Sequence, residues 1–156
     1  MRYLSYQIKT QLMKSLFKVS PAPKHIDVAL LIGRIGISLM MFTHGFPKIS
    51  RLSQDPVKFM DFMGLGPEVS LILAILAEIG CSILVILGLG TRFAVIPLIF
   101  VMLTAVLIAH ASDPFATQEK GFLYILMYLV LLITGSGRFS LDKVLFSKKH
   151  TSIQTS

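Results

Sequence analysis

From Val69 to Gly90 the chain runs for 22 residues, VSLILAILAEIGCSILVILGLG, with one carboxylate, Glu78, and no basic side chain. A bilayer core about 30 Å thick needs roughly 20 apolar residues at a helical rise of 1.5 Å, so this stretch is long enough to span. Glu78 falls near its middle. A charged group there is costly, which makes it a functional candidate by default. The rest of the chain agrees with a membrane reading: 54% of residues are hydrophobic and 15% charged, against about 25% charged in a soluble domain.

Three further apolar runs accompany it, and together they predict an all-α, polytopic membrane protein with four transmembrane helices in an antiparallel bundle. The expected spans are about 28–46, 69–90, 93–110 and 120–136, within a membrane domain over 27–146. The last run looks short for a full crossing. Residues 1–26 read as a basic, amphipathic segment, with Leu4, Ile8, Leu12, Leu16 and Val19 at helical spacing and lysines off that stripe. Such a helix lies on an anionic membrane surface. A cleaved signal peptide is not expected, because no small-residue cleavage site follows a compact apolar core. Residues 147–156 form a basic, polar tail, and Ser140 is placed to cap a short surface helix before it.

The net charge of +7 invites a nucleic-acid reading, but the cations sit at the ends of apolar runs, without interleaved aromatic patches. They act better as topology signals. Ten Lys and Arg lie on the side of both termini and four on the other, so both termini are expected in the cytoplasm and the protein in the inner membrane. One cysteine, Cys81, excludes an intramolecular disulfide, and four scattered histidines give no metal-binding spacing. A lone thiol in an apolar helix reads as a packing residue.

Inside the spans the polar residues are few. Arg34 lies roughly 11 Å deep in the first span and Glu78 roughly 18 Å deep in the antiparallel second, by residue count and rise. A guanidinium can bridge that difference, so an Arg34–Glu78 pair is expected, either locking two helices or forming a site. Tyr128, one turn beyond Tyr124, falls near the depth of Glu78 as a potential hydrogen-bond partner or a core aromatic. At the outer end His44, Lys48, His110 and Asp113, with Tyr124 and Glu119, are expected to converge on a mouth for a small ligand. Gly33, Gly36, Gly80 and Ser82 read as small residues that let the first two spans approach closely.

Four segments in this order and spacing resemble the DoxX family of small four-helix membrane proteins: GRIGISLMMFTHGFPK, AEIGCSILVILGLGTRFA, HASDPF and GRFSLD. The resemblance covers roughly residues 27–145. Cys81 departs from it, standing where the family often has the second of two glycines after the glutamate. The family's recurrent polar positions fall on Arg34, His44, Lys48, Glu78, Arg92, His110 and Asp113, with no catalytic role attached to any. The resemblance implies a membrane subunit or partner of an oxidoreductase system, quinone-linked or thiol- and sulfur-linked, with a quinone as the cofactor to test. Two alternatives stay open: a non-catalytic anchor recruiting a soluble partner through its basic face, and a small-molecule or proton transporter built as a homo-oligomer. No dinucleotide fingerprint, phosphate-binding loop, haem-attachment motif or catalytic triad occurs.

Overall fold

The computed structural model describes residues 23–147. The expected amphipathic helix over the first residues therefore lies outside the described part of the chain, as does most of the basic tail. Helix α1 runs from Lys24 to Ile49, followed by a short 3-10 turn, Ser50–Ser53. Helices α2 (Pro67–Leu87), α3 (Thr91–Ala109) and α4 (Phe115–Thr134) complete four apolar crossings, and α5 (Leu141–Ser147) is a short terminal helix. The described residues contain no strand. The all-α, four-span expectation holds.

Every crossing begins earlier than expected, while at the far ends α1 alone runs on and the other three stop slightly short. α1 continues through Pro47, so Lys48 sits in the last helical turn and not in a loop. Proline lacks only one backbone donor, and near a helix end that loss is tolerated. α4 begins at Phe115, making a full 20 residues, because Thr117 N–H bonds the Pro114 carbonyl and starts the helix early. Pro67 similarly occupies the first turn of α2, where its missing N–H is harmless.

The four crossings bury narrow stripes and present broad apolar faces outward. Ile32, Leu39, Leu76, Ile96, Leu107, Leu126 and Ile133 are all exposed in the isolated chain. So much contiguous apolar surface belongs against lipid. Inside, Met41, Val85, Val95, Leu98, Tyr128 and Leu131 make a continuous core. α3 packs along α4, while α1 packs along α2 and touches α4 more sparingly.

The register of α1 against α2 is fixed at two glycines. A Cβ on Gly45 would sit 2.7 Å from Ile79 Cγ1 and 3.3 Å from Glu78 Cβ. At the other end Gly88, left-handed at φ 65°, ends α2, and a Cβ there would collide with Arg34 Nη1. Arg34 is thus opposite Gly88, and Gly45 opposite Glu78. Ten residues of helix, about 15 Å, separate Arg34's level from Glu78's. The expected Arg34–Glu78 pair does not form, because α1 does not start level with the end of α2: with Arg34 against Gly88, the helix begins at Lys24, well before that level. Gly36 and Gly80 have nothing within 4 Å of a notional Cβ, and Gly33 packs on Met127 of α4. Close approach of the first two spans therefore rests on glycines other than those expected.

Arg34 instead holds the pole of the bundle where the membrane domain begins and ends. Its Nη2 donates to the Phe139 carbonyl. Asp142 accepts from Gly90 N–H at 2.8 Å and from the Ser136 hydroxyl at 3.2 Å, and its own N–H bonds the Gly88 carbonyl. Asp27 accepts from Arg138 N–H at 2.9 Å. Ser140 accepts from Lys143 N–H, capping α5 as expected. The segment 135–142 is thereby bolted across α1 and the α2–α3 turn.

The stretch between α1 and α2 is irregular apart from its first turn. Its aromatic Phe62 lies edge-on to Phe100 of α3 at 5.5 Å, and Ser70 and Asp61 accept backbone N–H groups within it. It folds over the opposite pole, here called the loop pole.

Candidate functional site

Helical spacing builds the site from α1 upward. Arg34, Ser38, Met41, Gly45 and Lys48 recur at steps of four, three, four and three residues and so share one face. The first four of these are buried, and Lys48 ends the stripe with its side chain 19% exposed. Side chains on a helix lean toward its N-terminus, which for α1 at the loop pole means back into the bundle. Lys48 therefore reaches inward. Its Nζ lies 2.6 Å from both carboxylate oxygens of Glu78 and 3.5 Å from the His44 carbonyl. All three ammonium donors are directed at acceptors.

Glu78 is 1% exposed and stands in a wide π-type turn, Leu76–Cys81, within α2. Such single wide turns are frequent at functional sites. This one lies against Gly45 of α1. Four residues on, Ser82 is fully buried and faces Tyr128 of α4. Neither hydroxyl closes a hydrogen bond, and Ser38 on α1 is likewise buried without a partner. Tyr124 and Tyr128 lie one turn apart with ring centroids at 6.2 Å, both within the field of Glu78. Of the two readings of Tyr128, the structure shows the core aromatic: its ring is fully buried in the apolar cluster and its hydroxyl faces Ser82 without a hydrogen bond to Glu78.

His44 closes the group from the outside. Its ring meets Tyr124 edge-on at 5.5 Å, and the charges nearest it are Glu78, Lys48 and Lys120. The structure thus brings together His44, Lys48, Glu78, Tyr124 and Tyr128, and leaves Arg34 about 21 Å of helix away from Lys48 on the same face. His110 and Asp113 do not join them. They pair with each other at 2.7 Å, 48% and 41% exposed, with Gln118 bonding both of their carbonyls. Glu119 is exposed beside that turn.

Cys81 packs against the apolar core. No group of three or more His, Cys, Asp or Glu side chains suited to a metal occurs among the described residues. What the centre offers is a carboxylate neutralised by an ammonium, two phenols, an imidazole and an unbonded serine hydroxyl. Such a set can orient a small polar head group and exchange a proton with it. Ser38, Asp27, Ser136 and Asp142 escaped the sequence reading. The signal available was the GRFSLD segment itself, whose serine and aspartate side chains bond the pole.

Residues 29–111 match the DoxX family profile. The chain is 32% identical over 126 residues to the inner membrane protein YphA of Escherichia coli, covering 74% of this chain and 89% of that protein. It is also 32% identical over 127 residues to the inner membrane protein YqjF of the same organism, covering 78% of this chain and 95% of that one. No solved structure matches. With four apolar crossings and relatives of this kind, the chain belongs to the DoxX family and is a multi-pass inner-membrane protein.

Proposed function

We propose that the chain is a membrane subunit of an oxidoreductase system whose small, hydrogen-bonding carrier, a quinone head group, is received at the Lys48–Glu78 centre near the loop pole. The observation that carries this reading is a doubly bonded, part-buried ammonium–carboxylate pair beside two buried hydroxyls, of Ser82 and Tyr128, neither of which closes a hydrogen bond. Desolvating the Glu78 carboxylate costs several kcal/mol, and an apolar pair would hold the helices as well. A head group with two carbonyl or hydroxyl oxygens would use those hydroxyls as donors and Glu78 as a proton exchanger, while its ring lies along Tyr124 and Tyr128.

The termini lie in the cytoplasm in this reading. Support comes from the exposed cations Lys24, Arg138 and Lys143 at the pole of the termini, where both acids are buried, against the exposed Asp55, Asp61, Glu68 and Glu119 at the loop pole. The site then opens outward.

The test uses a short-chain benzoquinone. Its binding to the purified protein, by equilibrium dialysis, should weaken about tenfold in Glu78→Gln and in Tyr128→Phe, each a loss of about 1.4 kcal/mol. Quinone-dependent turnover in membranes should fall in parallel. Unchanged binding and turnover in folded variants would sink the proposal.

A further inference from the structure

The pole carrying both ends of the membrane domain has an unequal charge distribution. Its two carboxylates, Asp27 and Asp142, are 1% and 5% exposed and engaged with Arg138 N–H, Gly90 N–H and Ser136. Arg34 is buried there, but Lys24, Arg138 and Lys143 are all exposed. The chain continues past α5 with Lys148 and Lys149. Among the described residues, then, this pole shows solvent positive charge alone.

α5 adds an apolar element to it. Asp142 fixes one face of this helix to the α2–α3 turn, and Lys143 points elsewhere. Leu141, Val144 and Leu145 stand at i, i+3 and i+4 and form a third face, 38%, 54% and 60% exposed. Phe139, just before the helix, is 51% exposed. The outward faces of the four crossings, each long and apolar enough to span a membrane, are apolar in the same way.

We infer that α5 is an interfacial docking surface for anionic phospholipid, its Leu141–Val144–Leu145 face seated at the acyl boundary while Lys24, Lys143 and neighbouring cations take the phosphate head groups. A short apolar face flanked by lysines is the pattern of helices lying in the membrane plane. Head groups of negative charge gain from each nearby lysine. The bolted segment 135–142 holds the helix in place beforehand, so little ordering is needed on contact.

The chain contains no tryptophan, so Leu145→Trp supplies a single reporter at an exposed position. The full-length variant is reconstituted into vesicles of phosphatidylcholine and phosphatidylglycerol, with brominated chains carried by one lipid or the other at equal mole fraction. Emission should be blue-shifted, and quenching should be stronger when the phosphatidylglycerol is brominated. Adding Lys24→Gln and Lys143→Gln should lower that preference, about fivefold per cation, while quenching by the bilayer persists. Red-shifted, unquenched emission overturns the inference. So does quenching indifferent to head-group charge, or a preference that survives loss of both lysines. Quenching that appears only when the protein is diluted in the bilayer means a second copy covers the face, and also overturns it.

Discussion

Lys48 reaches back along α1 to hold both carboxylate oxygens of Glu78 at 2.6 Å, joining the end of one crossing to the middle of the next through one ion pair. The two partners are not equally committed. Glu78 is 1% exposed and cannot reach water, whereas Lys48, at 19%, can swing outward on its flexible stem.

That asymmetry sets the order of the variants. Lys48→Met strands a buried carboxylate and should cost about 3–5 kcal/mol of stability. Glu78→Gln leaves a lysine free to snorkel and should cost about 1–2 kcal/mol. The double variant should be more stable than Lys48→Met alone, a coupling visible in a double-mutant cycle of thermal unfolding in detergent. Equal losses in the two single variants would refute the asymmetry.

The tight crossing at Gly45 gives a second test. A Cβ there would sit 2.7 Å from Ile79 Cγ1, so Gly45→Ala must push α1 and α2 apart just where the ion pair forms. A loss of about 1–3 kcal/mol is expected, as for other overpacked sites. Gly36→Ala and Gly80→Ala meet nothing within 4 Å and should be neutral, or stabilising by up to about 1 kcal/mol through helix propensity. Thermal unfolding of the three variants side by side would decide it.

These two cases show what sequence alone could and could not tell. The crossings were legible because composition in a bilayer leaves little choice: long apolar runs must be helices. Glu78 was legible as an anomaly in such a run. Its partner was not, because Pro47 read as the end of α1, while the helix carries on to Ile49 and places Lys48 on the inner face. Counting depth in both helices from one common level assigned Arg34 to Glu78, whereas α1 begins well before the level at which α2 ends and so sets Arg34 against Gly88. Asp142 was hidden for a different reason. Its contacts to Gly90 and Ser136 join segments far apart or irregular, where no periodicity guides a reading.

Arg34 offers a prediction at the far end of the same face. It is completely buried, with Nη2 on the Phe139 carbonyl and Nη1 against Gly88. Arg34→Met removes the bond that holds residues 135–142 across the pole. Asp142→Asn weakens the anchors to Gly90 and Ser136. Both should free α5, so limited trypsin digestion of the purified protein should cut at Lys143 several times faster than in the parent chain. An unchanged cleavage rate in both variants would show that the segment is held by other contacts.

The last prediction separates the two groups of polar residues toward the loop pole. His110 and Asp113 bond each other at 2.7 Å with both side chains nearly half exposed, and their hydrogen bonds lead to Gln118, not to Lys48 or Glu78. Exposed pairs of this kind contribute about 0–1 kcal/mol. His110→Ala and Asp113→Ala should therefore leave thermal stability within about 1 kcal/mol and leave benzoquinone binding unchanged. His44→Ala should behave differently, because it removes the ring that packs edge-on against Tyr124 beside the Lys48–Glu78 pair. A weakening of quinone binding about three- to tenfold is expected there, the size of one lost aromatic contact. If His110→Ala weakens binding as much as His44→Ala does, the site extends across the α3–α4 turn and its boundary at Lys48, Glu78 and the two tyrosines is drawn too tightly.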